Sequence, residues 1–587
     1  MIHKLFKQMV VSNIISAMAV MLCLLIDSIM IGRFLGVDAM AAYTLSNPVL
    51  LVFAGFGSLM STGIQVVCSQ AMGRGDEKTI NNCYSLSLMV MAAFAFGGLA
   101  LILIFIDPVC VLLGAEEGTE VYRLTRDYLV GFVIGAPAFI GAQVLIPYLQ
   151  MAGRRVLLIV AVLTMTVIDV ACDLINVYVV KKETFGMGLA STISYFVAFC
   201  IGVSYFAGKK CIYKFKLKGI TRGLFVRIIR GGVPMLVNQV SIVLLVYLVN
   251  QVLLDVGQKT AVAAYMVCTT ISNLGYCIGN GIAEVSLMLT GIAYKEEDRG
   301  AFGTIIKEQT KFSIFINAIV TIIFFVGAVP LVRLFLGNNP TVEGEAVMGL
   351  RLCSLCFVVS SINAAFRKYY QGIERVRFSE LISVLQNFVF PATIVVTLGY
   401  SIGTTGVWMY FLLGEVITII FITLAVWRMS KKRLCSLESY ICISDDFGAS
   451  EDDVLELEIY NKDDIPEVIS KTTQFCKEHG EFGRSEMYTA LCIEEMANNI
   501  VEHGFMEGAD NNIDIRLVKK EEELILRIRD NCKAFNPKDY YELNRKQDDP
   551  AAHIGIKMVF RTIKDISYVN SLGLNCLTMR IRNEKKA

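Results

Sequence analysis

Charge is what this sequence has little of. Only 18% of its residues are Asp, Glu, Lys or Arg, and 54 basic residues balance 53 acidic ones. No basic excess is available to attract a phosphate backbone, which excludes nucleic acid as a partner. A phosphate loop of the form G-x-x-x-x-G-K-[ST] is missing too, which argues against ATP hydrolysis as the power source. The single CxxC, Cys353 to Cys356, has no second pair to complete a metal site. All 17 cysteines are therefore expected to be reduced, small buried hydrophobes. Lys4 and Lys7 precede a long apolar run that no small-residue cleavage site follows. This start is expected to be a first membrane span and not a removed signal peptide.

What the chain does have is apolar length. Hydrophobic residues make up 55% of it, the composition of a membrane protein. Apolar segments recur near 9–35, 43–70, 84–106, 129–151, 156–180, 186–207, 233–254, 261–292, 312–336, 349–371, 380–400 and 404–427, which predicts twelve transmembrane helices. Pro48, Pro137, Pro234 and Pro391 fall in or at the ends of these spans, where neighbouring helices can re-satisfy the freed backbone groups. Alternate loops differ in basic residues. Lys4, Lys7, Arg74, Lys78, Arg154, Arg155, the stretch 209–230, 295–311, Arg367–Arg377 and Arg428–Arg433 fall on one side. The other side holds few: Arg33, Arg123, Arg126, Lys181, Lys182, Lys259, Arg333 and Arg351. The ratio of roughly three to one predicts that both termini are cytoplasmic.

The spans also repeat. Ala39-Met-Ala-Ala-Tyr43 recurs 222 residues later as Ala261-Val-Ala-Ala-Tyr265, and Asp76 matches Asp298 at the same offset. Leu113-Gly114 and Leu336-Gly337, and Tyr148-Leu-Gln150 and Tyr369-Tyr-Gln371, fit within a residue or two. Six spans separate the copies, so the halves share one topology, an arrangement that places a substrate site between two rocking lobes. The expected domains are a lobe at 1–207, a connector at 208–232, a second lobe at 233–430, a linker at 431–452 and a cytoplasmic domain at 453–587.

One carboxylate, Asp27, stands inside the apolar run Ala17–Gly36. At mid-bilayer it costs ~2.5–3.5 kcal/mol, so it is expected to face the bundle interior and handle an ion or a proton. The bland alternative is a structural Asp that pairs with a neighbouring helix. Asp169, Asp173 and Asn176 follow one face of the fifth span. If they converge with Asp27, repulsion and burial would let one carboxyl hold a proton near neutral pH, whereas Na+ would favour the ionised oxygens. Asp27 and Asp173 are the candidate Na+ ligands, and Thr192 would add an oxygen. In the second half, Glu284 and Glu415 lie within spans and, with the neutral Asn238 and Gln239, are candidates for substrate binding. No Arg or Lys stands near the middle of any span.

With IDSIMIGRFLGVDAMAAYTLSNP across the first two spans and SQAMGRGD closing the second, residues 1–430 resemble the multidrug and toxin extrusion (MATE) family. That resemblance implies an antiporter in a bacterial plasma membrane. It would export drugs or toxins, often cationic, against an inward Na+ or H+ gradient. Asp169 stands where the family commonly has Asn.

After Arg433 the texture changes. VLELEIY alternates like a strand, two amphipathic helices (463–479, 485–503) follow, and two strands come next in NNIDIRLV and ELILRIRD. A helix near 556–566 and strands at 566–572 and 575–582 complete an α+β domain with its own core. Its motifs LCIEEMANNIVEHGF, IRDNCKAFNP and AAHIGIKMV resemble the GHKL nucleotide-binding fold of anti-sigma-factor serine kinases and histidine-kinase ATPase domains. The resemblance makes Asn499 an Mg2+ ligand, Glu495 the base of an active kinase, Asp530 the adenine reader and Gly555 part of the phosphate lid, with ATP as ligand. Cys532 and Ala552-His553 replace glycines usual in that family, and their side chains limit close backbone approach.

The leading expectation is a secondary multidrug antiporter in the lipid bilayer. It would carry a cytoplasmic module that senses nucleotide or binds a protein partner. The alternatives are a serine kinase that uses the transporter half as its receptor and, more weakly, a lipid-linked sugar flippase.

Overall fold

The computed structural model describes residues 2–582 apart from 209–210, 217–218, 337–339, 431–436, 444–446, 480–483, 509–510, 521–522, 539–540, 542–556, 561–562 and 564. Among these, ten helices are long and apolar enough to cross a membrane, and two bent pairs bring the spans to twelve. The first lobe comprises α1 (His3–Asp27), α2 (Asp38–Gly73), α3 (Glu77–Ile104), the bent α4 (Glu120–Val133 and Ala136–Met151), α5 (Arg155–Val180) and α6 (Glu183–Ala207). The second comprises α7 (Arg222–Gly257), α8 (Thr260–Lys295), α9 (Arg299–Val326), the bent α10 (Val342–Ser354 and Phe357–Gly372), α11 (Val376–Ile402) and α12 (Thr404–Met429).

The internal repeat is visible in detail. The fourth span of each lobe bends by 48°. Asp76 caps α3 by accepting from the Thr79 amide, and Asp298 caps α9 by accepting from the Ala301 amide, each at 3.0 Å. A short polar side chain at this position satisfies an amide that the helix start leaves orphaned.

The lobes meet closely where α2 crosses α7 and α8. A Cβ on Gly63 would lie 2.1 Å from the Ile228 carbonyl oxygen, and one on Gly232 would lie 2.2 Å from that of Leu59. Gly73 and Gly291 make equally close approaches to Ile292 and Ser69. In lipid, such small residues let helices pack by dispersion where no hydrophobic driving force exists.

Beyond α12, Tyr369 and Tyr370 donate to the carbonyls of Ile441 and Tyr440 and tie the linker to α10. The C-terminal domain is an antiparallel sheet in the order β1-β2-β3-β5-β4. Its strands are β1 (Val454–Ile459), β2 (Ile513–Lys519), β3 (Glu523–Asp530), β4 (Asp565–Ser571) and β5 (Leu574–Arg582). Helices α13 (Ile465–Glu478) and α14 (Arg484–Asn499) cover one face, with Val468, Phe475, Ile493, Met496, Leu526, Ile528 and Met579 in the core. Strand β3 alternates, so Leu524, Leu526, Ile528 and Asp530 turn inward while Arg527 and Arg529 take the opposite face. Of the expected helix at 556–566, residues 557–560 are helical, whereas 556, 561, 562 and 564, and Gly555 before them, lie outside the described residues.

Candidate functional site

The first lobe gathers its acids. Asp27, Asp169 and Asp173 are all buried, and Asp27 lies within hydrogen-bonding reach of both others. Ser194 Oγ donates to Asp169 Oδ1 at 2.8 Å, and Cys23 Sγ donates to Asp169 Oδ2 at 2.8 Å. Sγ of Cys23 and one carboxylate oxygen each from Asp27 and Asp169 lie within 4.8 Å of one another. Oδ1 of Asp27 and Oδ2 of Asp173 are buried and have no hydrogen-bond partner. Both helices leave this cluster through a π turn, Ile31–Leu35 after Asp27 and Asn176–Val180 after Asp173. Such turns recur at functional positions. Orphaned oxygens on crowded, desolvated carboxylates must be met by a shared proton or a bound cation.

Two of the expected oxygen ligands are engaged elsewhere. Thr192 Oγ1 donates to the Gly131 carbonyl at 2.7 Å and so braces α6 against α4. Asn176 spans its own turn: its amide nitrogen donates to the Glu183 carbonyl at 2.9 Å and its oxygen accepts from the Lys182 amide at 3.1 Å. The donor set of the cluster is thus carboxylate oxygens with one thiol. The oxygens fit Na+ or a proton, and the thiol, a soft donor, adds little to Na+. Cys23 was not singled out from the sequence, although it precedes Asp27 by one helical turn.

The second lobe holds a different arrangement. Glu415 accepts from Asn363 Nδ2 at 2.7 Å and from Gln386 Nε2 at 2.9 Å. Arg367 is buried within α10, donates to Asn238 Oδ1 and lies 3.5 Å from Gln386 Oε1. Asn387 donates to the same Asn238 oxygen at 2.9 Å. Glu284 pairs with Lys368 at 2.7 Å. Arg367 and Lys368 stand near the end of α10, and the fold brings amide oxygens from α7 and α11 around Arg367. Glu284 and Asn238 are therefore already paired within the protein. Gln239 is half-buried and belongs to neither network.

The C-terminal domain carries a cavity of about 200 Å³ lined by Met496, Asn499, His503, Asp530, Phe535, Tyr568 and Asn575, among others. Asn575 Nδ2 donates to Asp530 Oδ1 at 2.7 Å, and its oxygen accepts from Tyr568 Oη at 2.7 Å and Asn570 Nδ2 at 2.9 Å. Burial pushes the Asp530 carboxyl above its ordinary range, against the pull of Asn575 and the Cys532 amide. Asn499 spends its amide nitrogen on the Glu495 carbonyl at 2.5 Å. Its side-chain oxygen remains for an Mg2+ shared with phosphates. Glu495, half-buried, is pushed up by burial and then by Glu494 beside it. It does not line the cavity.

Two repeated six-helix lobes, one with a buried acid cluster, and an ATPase-fold domain define a two-lobed membrane transporter with an appended α+β domain. Residues 13–175 and 234–397 match the MatE family model, and residues 461–581 match the histidine kinase-like ATPase domain. The chain belongs to the MatE family. It is 25% identical over 407 residues to "Multidrug export protein MepA" of Staphylococcus saprophyticus, an alignment covering 68% of this chain and 87% of that protein. It is 24% identical over 430 residues to "Probable multidrug resistance protein NorM" of Bradyrhizobium diazoefficiens, covering 70% and 89%. A solved structure described as the outward-facing conformation of a multidrug resistance MATE family transporter superposes with a TM-score of 0.67 at 20% identity, covering 72% of this chain and 94% of that one. A MOP superfamily transporter from Pyrococcus furiosus superposes with a TM-score of 0.66, also at 20% identity and with the same coverage.

Proposed function

We propose that the chain is a secondary antiporter of a bacterial plasma membrane. It exports small organic, often cationic compounds in exchange for Na+ or H+, with both termini on the cytoplasmic side. The observation that carries this reading is the first-lobe cluster. Three carboxylates from α1 and α5 converge in a buried site, with two orphaned oxygens, and among the described residues no basic side chain pairs with them. A cation or proton that binds there neutralises the site, and its release in the other conformation couples the gradient to lobe movement. The relatives named for multidrug export support small-molecule cargo. The C-terminal domain is a nucleotide-binding regulator, with Asn499 holding Mg2+ and Asp530 reading the base. Its cavity, with Asn499 and Asp530 both on the wall, supports that assignment. No observation favours the kinase reading, since Glu495 stands off the cavity wall.

Dye efflux from cells expressing wild type, Asp27→Asn and a truncation after Arg433 tests this. Each is measured with and without Na+ and with the proton gradient collapsed. Efflux that survives truncation and fails in Asp27→Asn supports the antiporter. Dye extrusion unaffected by Asp27→Asn overturns it.

A further inference from the structure

The open face of the C-terminal sheet is not bare. It lies on the loops of both lobes, and the contacts are of two kinds. On the second lobe, the turn between α8 and α9 carries Glu296, Glu297 and Asp298. Glu296 pairs with Arg529 at 2.7 Å and with Arg527 at 3.3 Å, Asp298 pairs with Arg516 at 2.5 Å, and Glu297 pairs with Lys520 at 2.7 Å. The Glu296 side chain is only 6% exposed and that of Arg529 13%. Burial works against the Arg529 charge, yet Glu296 at its side holds the guanidinium above its ordinary range.

The first lobe is met by backbone. The Leu572 amide donates to the Met151 carbonyl at 2.5 Å, and Arg155 Nη2 donates to the Leu572 carbonyl at 3.1 Å. A Cβ on Gly153 would lie 2.4 Å from Gly573 Cα, and one on Gly75 would lie 2.5 Å from Ser567 Oγ. Leu572 and Gly573 form the tip of the β4–β5 hairpin at φ of 59° and 80°. A two-residue hairpin turn of this hand favours Asn or Gly. A leucine held there is local strain of the kind that surrounding contacts must over-determine.

The repeat gives the acidic turn a second significance. At the 222-residue offset, Glu296-Glu297-Asp298 corresponds to Arg74-Gly75-Asp76. The capping Asp is shared, whereas the two preceding positions exchange Arg and Gly for two glutamates. The turn at the end of α8 thus reverses the charge of its repeat mate and faces arginines on the appended sheet.

The same strands line the nucleotide cavity. Asp530 follows Arg529 on β3 and points to the opposite face. Asn575 and Tyr568 flank the Leu572–Gly573 tip on the hairpin. One rigid sheet therefore joins the cavity, the anchor on one lobe and the anchor on the other.

We propose that the C-terminal domain is a nucleotide-responsive lock on the lobes. While docked, it holds α2 closed against α7 and α8 on its own side of the protein, and transport requires its release. The nucleotide part rests on the reading of the cavity given above. The locking part rests on the contacts alone. Alternating access swings one lobe against the other. A sheet anchored to Glu296 and Asp298 on one lobe and to Met151 and Arg155 on the other must detach before that swing opens the glycine-packed seam.

The test uses the full chain in proteoliposomes with a substrate dye and an imposed ion gradient. The variants are Glu296→Arg, Arg529→Glu and the two combined. Hydrogen exchange at residues 293–300 and 570–576 reports docking directly. The lock predicts that each single variant loses protection in both segments and transports several-fold faster. It also predicts that the charge-swapped double variant recovers protection and the slower wild-type rate. Single variants that undock with an unchanged or slower rate overturn the lock, as does a double variant that fails to recover either property. Asn575→Leu, probed with ATP and Mg2+ in the domain-side compartment, separates the two readings. If ATP shifts the wild-type rate and protection but not those of Asn575→Leu, the nucleotide control stands. If the charge variants behave as stated and ATP moves nothing, the lock stands and the nucleotide reading falls.

Discussion

The thiol of Cys23 donates to Asp169 across 146 residues of chain, at 2.8 Å. It ties α1 to α5 in the acid cluster, and it occupies one of the two Asp169 oxygens while Ser194 takes the other. Asp169 is thereby fixed, and the orphaned oxygens belong to Asp27 and Asp173. Cys23→Ser should keep the tie and transport at close to the wild-type rate. Cys23→Val removes it and leaves a buried acceptor short of a donor, a loss of about 1.5–3 kcal/mol for a charged group. A thermal-shift comparison of the two variants in detergent checks the ordering.

The two carboxyls with orphaned oxygens should not be interchangeable with Asp169. Asp173→Asn and Asp27→Asn each should reduce gradient-driven dye efflux to background while leaving folding intact, because the amide cannot exchange a proton or hold a cation by charge. Asp169→Asn should retain part of the activity, since its two hydrogen-bonding positions are filled from the protein. Equal loss in all three variants would refute this ranking.

Arg367 stands amid Asn238, Ser383 and Gln386, with Glu415 just beyond Gln386. Removing one partner of a buried charged network costs about 3–5 kcal/mol because the other is left uncompensated. Arg367→Met should therefore lower thermal stability strongly, and Arg367→Met with Glu415→Gln should regain part of it. A double-mutant cycle on melting temperature measures that coupling.

At the lobe seam, Gly63→Ala would push its Cβ against the Ile228 carbonyl, a backbone atom that cannot rotate away. Such overpacking costs about 1–3 kcal/mol. The expected outcome is a population shifted toward the conformation in which α2 and α7 separate, read as greater labelling of a single cysteine introduced at Ile228 in a cysteine-reduced background.

If the cavity of the C-terminal domain takes nucleotide as proposed, Asp530→Ala should weaken binding of a fluorescent ATP analogue by about 1.5–3 kcal/mol, on the order of tenfold to 150-fold. The pH dependence has two opposite signs. Burial raises the folded-state range of the Asp530 carboxyl, so its protonated form favours folding, and that contribution fades as pH rises through this range. Nucleotide recognition needs the charge instead. Mild acid should therefore weaken nucleotide binding at pH values where an ordinary aspartate is still ionised, without a matching loss of domain stability. Paired titrations of affinity and melting temperature check both signs.

Much of this was legible in the sequence. The hydropathy pattern placed every span, because in lipid each backbone group must be satisfied within its own helix. The offset of 222 matched Asp76 with Asp298, and the structure shows both capping a helix. Asp27, Asp169 and Asp173 were found by their cost in an apolar run, and the structure brings them together. Cys23 had a signal that went unread, its four-residue spacing from Asp27. Arg367 had none, since it stands near a helix end and only the packing of α7 and α11 encloses it. The backbone hydrogen bonds of Thr192 and Asn176 were not legible, because an oxygen on the right face can still be spent on a neighbouring backbone. Asn575 sits in a plain strand, and only the antiparallel pairing of β3 with β5 sets it opposite Asp530.

The linker that ties α12 to the sheet has a consequence for dosage. A short covalent tether keeps the domain at an effective concentration in the millimolar range beside its docking face. Contacts too weak to assemble two separate proteins therefore suffice, and small energetic biases at the cavity can tip them. Under the proposed lock, every copy of the transporter carries its own regulator, in a ratio that expression level, dilution at cell division or competition among pumps cannot alter.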